Sequence, residues 1–596
     1  MKKRIALLMM LLLLTGCAAS PDASADPTAT ASPAVIDTKE MDFTFTDREL
    51  AGTWEVRKAI TLTGNGTTFT TSGKGATLAD GQVQITAAGV YRLTGTFKDL
   101  PIIVSAGEND KVQLVLDNVE ITCANGPAIH VESADKVFIT IPEATQSIIT
   151  DGTAYAQTDA GSPDGAIFSR ADLCLNGSGT LRVTGQYKHG IVSKDDLVIA
   201  GCTLEITAAS TGLDGKDCVK VTGADITIDA GSNGIRSDNT EDENRGFVCL
   251  TDSTLTIVSG SDGVQASTIL RTQNLRITVT AGGGSGYSLR NAVGSWKGLK
   301  SGGDMLLDGG EYVISSRDDC IHSNSSIVIA SGTYALSSGD DGIHADTDLT
   351  VNGGEIVISK SYEGLEASKL TIAGGSIDVT ASDDGLNATG GADGSSMGNR
   401  FGRSMFSNGV GEIIISGGYT VVNASGDGVD SNGGITVSGG VTLVSGPVSS
   451  GNAAFDYDGS AKVTGGVLIA TGPAGMAQNF SEAENQGAML ISVNQRQTGS
   501  IALVDESGHV IVAFSPVNTY QCATITAPAI QQGGTYTIML GGTAADADAH
   551  GFAQDTTLTG GKSGGQITMT SLIYGGNRGM RDPGGGGGPG SGWRGW

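Results

Sequence analysis

A repeat of about 22 residues limits what this chain can fold into more than any other feature of its sequence. Apolar residues that each follow a Gly or Cys recur at steps of 22, 22, 22 and 21, at Leu299, Ile321, Ile343, Leu365 and Leu386. Within each unit, three short runs alternate apolar and polar residues and are separated by Gly, Asp, Asn or Ser. Such alternation is typical of β-strands, and no helical spacing competes with it.

A unit of this size with three strands cannot bury its own inner face, so neighbouring units must stack. Each strand then pairs in parallel with its equivalent in the next unit, about 4.8 Å away. The sequence therefore predicts an all-β fold, a right-handed parallel β-helix with three strands per coil. After about residue 480 the period is lost, and the alternating runs there predict a small antiparallel β cap over the C-terminal end.

The N-terminus has the pattern of a bacterial lipoprotein signal peptide. A basic start and a ten-residue apolar stretch precede Leu14-Thr15-Gly16-Cys17, which predicts cleavage before Cys17 and lipidation of that residue. The expected organisation has five segments. These are the signal peptide 1–17, a flexible tether 18–45, the β-helix 46–478 with a loop at 390–411, the β cap 479–574 and a disordered Gly-rich tail 575–596.

Composition excludes several classes of protein. The net charge is −27 and the pI is about 4.5, which argues against nucleic-acid binding because that needs a basic face. Glycine is abundant but has no G-x-y period, which excludes collagen. Seven cysteines follow Cys17 without any CxxC pair. They are interpreted as buried thiols, with a disulfide framework or a zinc site as the alternative.

Acidic residues recur at one corner of the repeat. The corner residues are Asp318, Asp319, Asp340, Asp341, Glu363, Asp383 and Asp384. Stacked carboxylates about 4.8 Å apart repel one another. A hard divalent cation would relieve this repulsion, so these residues are predicted to bind Ca²⁺. The alternative is that Asp simply favours turns, which explains one Asp per corner better than two.

The residue after each repeat apolar residue is expected to face outward and to form a polar stripe. The stripe contains Lys300, His322, His344, Glu366 and Asn387. Hydrogen-bonding groups at regular spacing suit an extended polysaccharide, whereas the alternative is a merely solvated face. The two histidines could form a metal pair, but surface imidazoles are the favoured interpretation.

An enzymatic interpretation also starts at this corner. Lys297, Lys300 and Arg317 lie near the acidic residues in the sequence, and a basic group beside calcium is the arrangement for β-elimination of uronates. The sequence does not place these groups within reach of a proton, so no catalytic residue is assigned. No GxSxG or HExxH motif is present.

Five ordered motifs carry a resemblance to a known family. They are SWKGLKSGG (295–303), SRDDCIHS (316–323), SGDDGIHAD (338–346), SYEGLEAS (361–368) and SDDGLNATGG (382–391). Together they resemble the carbohydrate-binding β-helix family typified by a clostridial cellulose- and acid-sugar-binding protein. The resemblance implies a pectate-lyase-like right-handed β-helix that binds calcium and polysaccharide without established catalysis. Cys320 departs from the family pattern, which has a small residue at that corner.

The sequence as a whole predicts a lipid-anchored, surface-exposed monomer that binds cellulose or acidic polysaccharides such as polygalacturonate through calcium-ordered corners. Its expected contact with the membrane is the lipid anchor alone. Two alternatives are a calcium-dependent polysaccharide lyase and a structural or adhesive rod of the cell envelope.

Overall fold

A computed structural model describes residues 41–155, 159, 161–287, 293–389 and 411–576. The predicted signal peptide, Cys17, most of the tether, the loop from residue 390 to 410 and the tail from residue 577 lie outside the described residues. The described chain is nearly all β. Among the helices in these described ranges, none is long and apolar enough to cross a membrane.

Parallel strands form three columns, named A, B and C in the order in which a repeat unit passes through them. In column A, for example, Ile343 pairs with Ile321 of the preceding unit and with Leu365 of the following unit. Columns B and C repeat this arrangement with their own strands. The predicted all-β fold with parallel pairing at the repeat period is confirmed.

Most strands belong to a single column. Column A contains Gln82–Ile85, Ile102–Ser105, Ile129–Ser133, Gly165–Ser169, His189–Ser193, Leu213–Gly215, Ile235–Ser237, Val264–Ala266, Leu299–Ser301, Ile321–Ser323, Leu386–Ala388, Val429–Ser431 and Asp456–Tyr457. Column B contains Lys136–Ile141, Asp172–Gly177, Asp196–Ala200, Cys218–Thr222, Phe247–Thr251, Glu412–Ile415 and Glu482–Ala483. Column C contains Gln146–Thr150, Thr180–Gly185, Thr203–Ala208, Asp225–Ala230, Thr254–Ser259, Glu355–Ser361, Ser376–Ala381 and Tyr419–Ala424.

Longer strands bend from one column into the next. Those that pass through columns B and C are Ile60–Gly66, Gly89–Lys98, Lys111–Thr122, Leu270–Ala281, Met305–Ser316, Ile327–Ser338, Gly434–Ser445 and Ala461–Gly472. Those that pass through columns A and B are Ile343–Val351 and Leu365–Ile372. Near the N-terminus, the remaining elements are the helix Asp47–Ala51, the 3₁₀ turn Val56–Lys58 and the strands Phe69–Thr71 and Ala76–Ala79.

The hydrophobic core lies on the inner faces of the three columns. Ile343, Leu349 and Ile356, one from each column of one unit, have essentially no solvent exposure. Equivalent residues of successive units join them in one continuous cluster. Each buried Leu or Ile side chain contributes about 1.5–3 kcal/mol. A unit thus contributes its three apolar runs to a core that only stacking completes.

The seven cysteines of the described residues are buried and free, as predicted from their apolar surroundings. Burial raises the pKa of Cys320 to about 12 and that of Cys249 to about 11. These thiols are therefore neutral at ordinary pH. The alternative of a disulfide framework is therefore wrong, and no group of possible metal ligands among the described residues contains a cysteine.

A strap formed by residues 41–55 lies on the outer face of column B. Its Phe43 packs with Cys218 and Phe247, and its Phe45 packs with Phe138. The Lys220 ammonium donates hydrogen bonds to backbone carbonyl oxygens of the strap. The tether predicted up to residue 45 is therefore too long, since Met41, Phe43 and Phe45 are partly buried against the sheet.

The strap makes stability depend on pH through Glu49. Its carboxylate accepts a 2.6 Å hydrogen bond from the Lys136 ammonium and is also bonded to Thr46. Burial by itself would raise the pKa of Glu49, but these bonds outweigh it and lower the pKa below the usual 4.5. The stabilisation is therefore complete above the unfolded-state pKa and is lost as pH falls through the folded-state pKa. We expect the melting temperature of the wild type to fall more steeply below pH 5 than that of Glu49→Gln, measured by calorimetry from about pH 3 to 7. Parallel curves for the two proteins would contradict this role.

The C-terminal region is antiparallel, as predicted. Gly487–Gln497 and Tyr520–Ala527 join the main sheet in antiparallel pairing, and the short strand Ile573–Tyr574 adds to them in parallel. A five-stranded antiparallel sheet contains Phe552–Thr556, Val510–Phe514, Ile501–Val504, Thr535–Leu540 and Lys562–Thr568, and a two-stranded one contains Thr543–Ala544 and Leu558–Thr559.

This region covers more than the end of the stack. Its core packs against the outward side chains Leu443 and Ile469 of column C, with Tyr419 and Val421 at the edge of the contact. The prediction of a cap over the open end missed this side contact. The missed signal is that these outward positions of column C are aliphatic.

Candidate functional site

The acidic corner lies where column C ends and column A begins. Backbone hydrogen bonds stack the corners of successive units. Gly342 N–H donates to the Glu363 carbonyl and Gly364 N–H donates to the Asp384 carbonyl, each at 2.9 Å. The side chains at this corner are therefore held at the spacing of neighbouring strands.

At three corners, an Asp carboxylate accepts a backbone N–H from the next unit. Asp319 Oδ1 accepts from Asp341 N–H at 3.0 Å, and Asp341 Oδ1 accepts from Glu363 N–H at 3.1 Å. Asp384 Oδ1 accepts from Asp427 N–H at 2.6 Å. The recurrence of Asp at this position therefore has a structural reason, because each carboxylate satisfies an amide at a buried bend.

The chain supplies its own cation in the middle of the corner. The buried Lys297 ammonium lies 2.9 Å from Asp318 Oδ1 and 2.7 Å from Asp319 Oδ2. Burial would lower the pKa of Lys297, but the two carboxylates raise it overall. Burial also opposes ionisation of Asp319, yet the charges of Lys297 and His322 hold its pKa well below the usual range. The predicted ligands Asp318 and Asp319 are thus already paired with a cation of the chain.

The two predicted surface histidines are buried, so that expectation is wrong. Their rings stack with centroids 4.9 Å apart. His322 Nδ1 lies 2.8 Å from Asp319, and His344 Nδ1 lies 3.0 Å from Glu366 and 3.5 Å from Asp341. Although burial lowers it, hydrogen bonds to three carboxylates raise the pKa of His344 well above its ordinary value. Each imidazole therefore pairs with carboxylates of the stack.

The prediction of an outward polar stripe is also wrong for two further residues. Glu366 and Asn387 are buried, and only Lys300 keeps part of its side chain in solvent. Asn387 Nδ2 donates to Glu363, and the Lys300 ammonium donates to Ser295 Oγ at 3.0 Å. These side chains point away from the apolar core, but they pair along the stack instead of reaching water.

A second acidic group contains Asp384, Asp427 and Asp430, which offer carboxylate oxygens within 4.8 Å of one another. Burial, followed by the charges of Asp456 and Asp383, raises the pKa of Asp427 to about 6. Burial, followed by the charges of Asp384 and Asp427, raises the pKa of Asp430 to about 8. In the part of the chain that the structure describes, no cationic side chain pairs with Asp427 or Asp430.

Two further observations fit a cation at this second group. Asn387, the column A neighbour of Asp430, has a buried Oδ1 without a hydrogen-bond partner. Gly426 leaves room for acidic side chains, because a Cβ there would lie 2.4 Å from an Oδ1 of both Asp383 and Asp384. Ca²⁺ takes six to eight oxygen ligands. The donor set of carboxylate and amide oxygens therefore suits a hard divalent cation.

The sequence analysis did not assign Asp427 and Asp430 to a metal site. Asp427 occupies the same corner position as Asp341 and Asp384, so the acidic repeat in the sequence already includes it. The predicted ligand Asp340 lies with Asp318 and Asp319, and Asp341 lies with His344 and Glu366, in two other groups. Neither Glu363 nor Asp383 belongs to any of these groups among the described residues.

Comparisons with known proteins show what this chain is similar to. The model of a family described as carbohydrate-binding domain-containing protein matches residues 79–342. A carbohydrate-binding domain-containing protein of Acetivibrio thermocellus is 33% identical over 211 residues, which cover 35% of this chain and 74% of the relative. A solved structure, the gadolinium derivative of a polysaccharide lyase-like protein from C. thermocellum, is 28% identical, with a TM-score of 0.38 over 41% of this chain and 96% of that one. The identity and coverage of the Acetivibrio relative place this chain in the family of carbohydrate-binding domain-containing proteins.

Proposed function

We propose that this chain is a non-catalytic polysaccharide-binding protein that works outside the cytoplasm. Its membership in a carbohydrate-binding family carries this proposal. The lipobox at Cys17 supports a lipid anchor on the membrane, with the repeat region exposed at the cell surface. Cellulose and acidic polymers such as polygalacturonate are the proposed ligands, and the protein acts as a monomer. The three columns wind as a right-handed parallel β-helix in this proposal.

The proposed calcium site is centred on Asp384, Asp427 and Asp430. The orphaned Asn387 Oδ1 and the crowded carboxylates support this position. Bound Ca²⁺ would neutralise the acidic side chains and would offer a positive point to an acidic sugar. Because the chain is strongly acidic, a polyuronate needs such a bridge in order to bind.

Gly426 provides a test of this calcium site. We expect Gly426→Ala to weaken calcium binding by about tenfold or more, because the added methyl group displaces the carboxylates of Asp383 and Asp384. The measurement is a calorimetric titration of each protein with calcium. Gly451, with no atom near the position of an added Cβ, gives the control Gly451→Ala. Equal calcium affinities for both variants and the wild type would contradict the site.

The three basic residues considered for a lyase are each held by neighbouring side chains, and the Lys300 ammonium lies 3.0 Å from Ser295 Oγ and 3.8 Å from Asp262. Lys297 is buried and holds its proton between two carboxylates, and the Arg317 guanidinium lies 4.4 Å above the Trp296 ring. We therefore expect no release of unsaturated uronates from polygalacturonate with calcium present. The measurement is ultraviolet absorbance. A sustained absorbance rise that a chelator abolishes would establish the lyase instead.

Affinity electrophoresis separates binding from a structural role. The protein is run in gels that contain polygalacturonate or a soluble cellulose derivative, with calcium or with chelator. We expect retardation by polymer, and by polygalacturonate only with calcium. Absence of retardation by every polymer would favour the rod of the cell envelope.

A further inference from the structure

The outer face of column C is covered by the C-terminal region over its last strands and is open over the strands before them. One outward row follows the register through nine strands, in the order Thr256, Thr278, Val313, Ala335, Val357, Asp378, Val421, Leu443 and Ile469. The last three residues pack against the C-terminal region. The row is therefore a docking face, and the chain itself occupies only its last three positions.

The part of this face that contains the first five positions of the row is here named the open face. It consists of Thr256, Thr278, Val313, Ala335 and Val357 together with the neighbouring row Val258, Thr280, Ser315 and Ser337. None of these nine side chains carries a charge. Val258, Val313 and Val357 are 48%, 42% and 38% exposed, which is high for large apolar residues. Five strands give the open face a width of about 19 Å across the stack.

Both edges of the open face are raised into a groove. On one edge, the segment 282–287 lies over the strands, and Ser285 Oγ is 2.8 Å from Ser337 Oγ. On the other edge, Arg276 and Glu311 pair with each other. Shallow cavities of about 250 Å³ over the open face and about 350 Å³ beside Arg276 follow this groove. Asp378 ends the uncharged row, and His550 of the C-terminal region lies 4.0 Å from it.

The covered part and the open face carry different kinds of side chain, and this difference indicates the partner. The covered part is aliphatic, so it packs well against the apolar side chains of the C-terminal region. The open face combines aliphatic side chains with hydroxyl groups and lacks charge. A sugar ring presents C–H groups on its faces and hydroxyl groups at its edges, so it matches this pattern, whereas a polyuronate would find no cation in the floor of the groove.

We propose that the open face binds a chain of an uncharged polysaccharide, with sugar rings lying on Val313 and Val357 and hydroxyl groups bonded to the Thr side chains. This inference rests on the proposed function, because it assigns a surface to the binding. It separates two ligand sites, an uncharged glycan on column C and an acidic glycan bridged by calcium at the corner.

The test is pelleting of the full-length chain with microcrystalline cellulose. The double variant Val313→Lys and Val357→Lys places charge on the floor at two exposed positions two strands apart. The control double variant, Gln273→Lys and Thr371→Lys, adds the same charge to outward positions of column B. Melting curves verify that both variants fold.

We expect the open-face variant to bind cellulose at least about tenfold more weakly than the wild type, and the control to stay within about twofold. Calcium-dependent retardation by polygalacturonate should persist in both. Equal cellulose binding by all three proteins would overturn the inference and leave the proposed function standing. Failure of the wild type to bind any glycan would instead overturn the proposed function. Loss of self-association in the open-face variant, with cellulose binding unchanged, would assign the face to a second copy and would also overturn the inference.

Discussion

Replacement of Lys297 by Met is expected to destabilise the folded protein by about 3–5 kcal/mol, because the change leaves two acidic side chains buried without their cation. The Lys297 ammonium contacts both Asp318 and Asp319, and all three side chains are at most 5% exposed. Exposed ion pairs contribute little by comparison, typically about 0–1 kcal/mol. The measurement is urea unfolding followed by circular dichroism.

Two companion variants separate charge from packing. Lys297→Met combined with Asp319→Asn should recover part of the lost stability, because it removes one of the two stranded charges. Lys300→Met, at the partly exposed neighbour, should change the free energy of unfolding by less than about 1 kcal/mol. Similar losses for Lys297→Met and Lys300→Met would contradict the assigned role of Lys297.

The second large effect is expected from Asp430→Asn. In the wild type, calcium at about 100 times its dissociation constant should stabilise the fold by about 2.7 kcal/mol. The amide of the variant removes one of three crowded carboxylates. Without calcium the variant should therefore melt at a higher temperature than the wild type, and calcium should raise its melting temperature little.

Asp348→Asn is the matched control, because Asp348 is an exposed carboxylate in the bend between columns A and B. It should keep the full calcium response. If Asp430→Asn keeps that response as well, the calcium site lies elsewhere. If calcium shifts no melting curve, the calcium proposal is wrong for the whole chain.

The repeat alone was enough to predict the parallel columns and their core. The steps from Leu299 to Leu386 predicted the register of column A, because strand pairing at one period leaves few other arrangements. The antiparallel character of the C-terminal region was equally visible in its alternation. The contact of this region with column C was not visible in the sequence. Leu443 and Ile469 have the pattern of ordinary strand residues, and only the structure shows what they face.

The candidate site could be predicted in position but not in chemistry. The sequence indicated a corner rich in carboxylates, and the structure stacks them there. The sequence did not indicate that Lys297, His322 and His344 point into the same stack, because side-chain direction at a bend follows from three-dimensional packing. For the same reason, a period-two rule placed Glu366 and Asn387 outward but could not show that their neighbours cover them.

The most direct test of the central claim is a calorimetric titration of the purified protein with cello-oligosaccharides and with oligogalacturonides, in calcium and in chelator. The account predicts saturable binding of cello-oligosaccharides in both conditions and of oligogalacturonides only in calcium. No saturable binding of either sugar in either condition would contradict the claim that this chain binds polysaccharide.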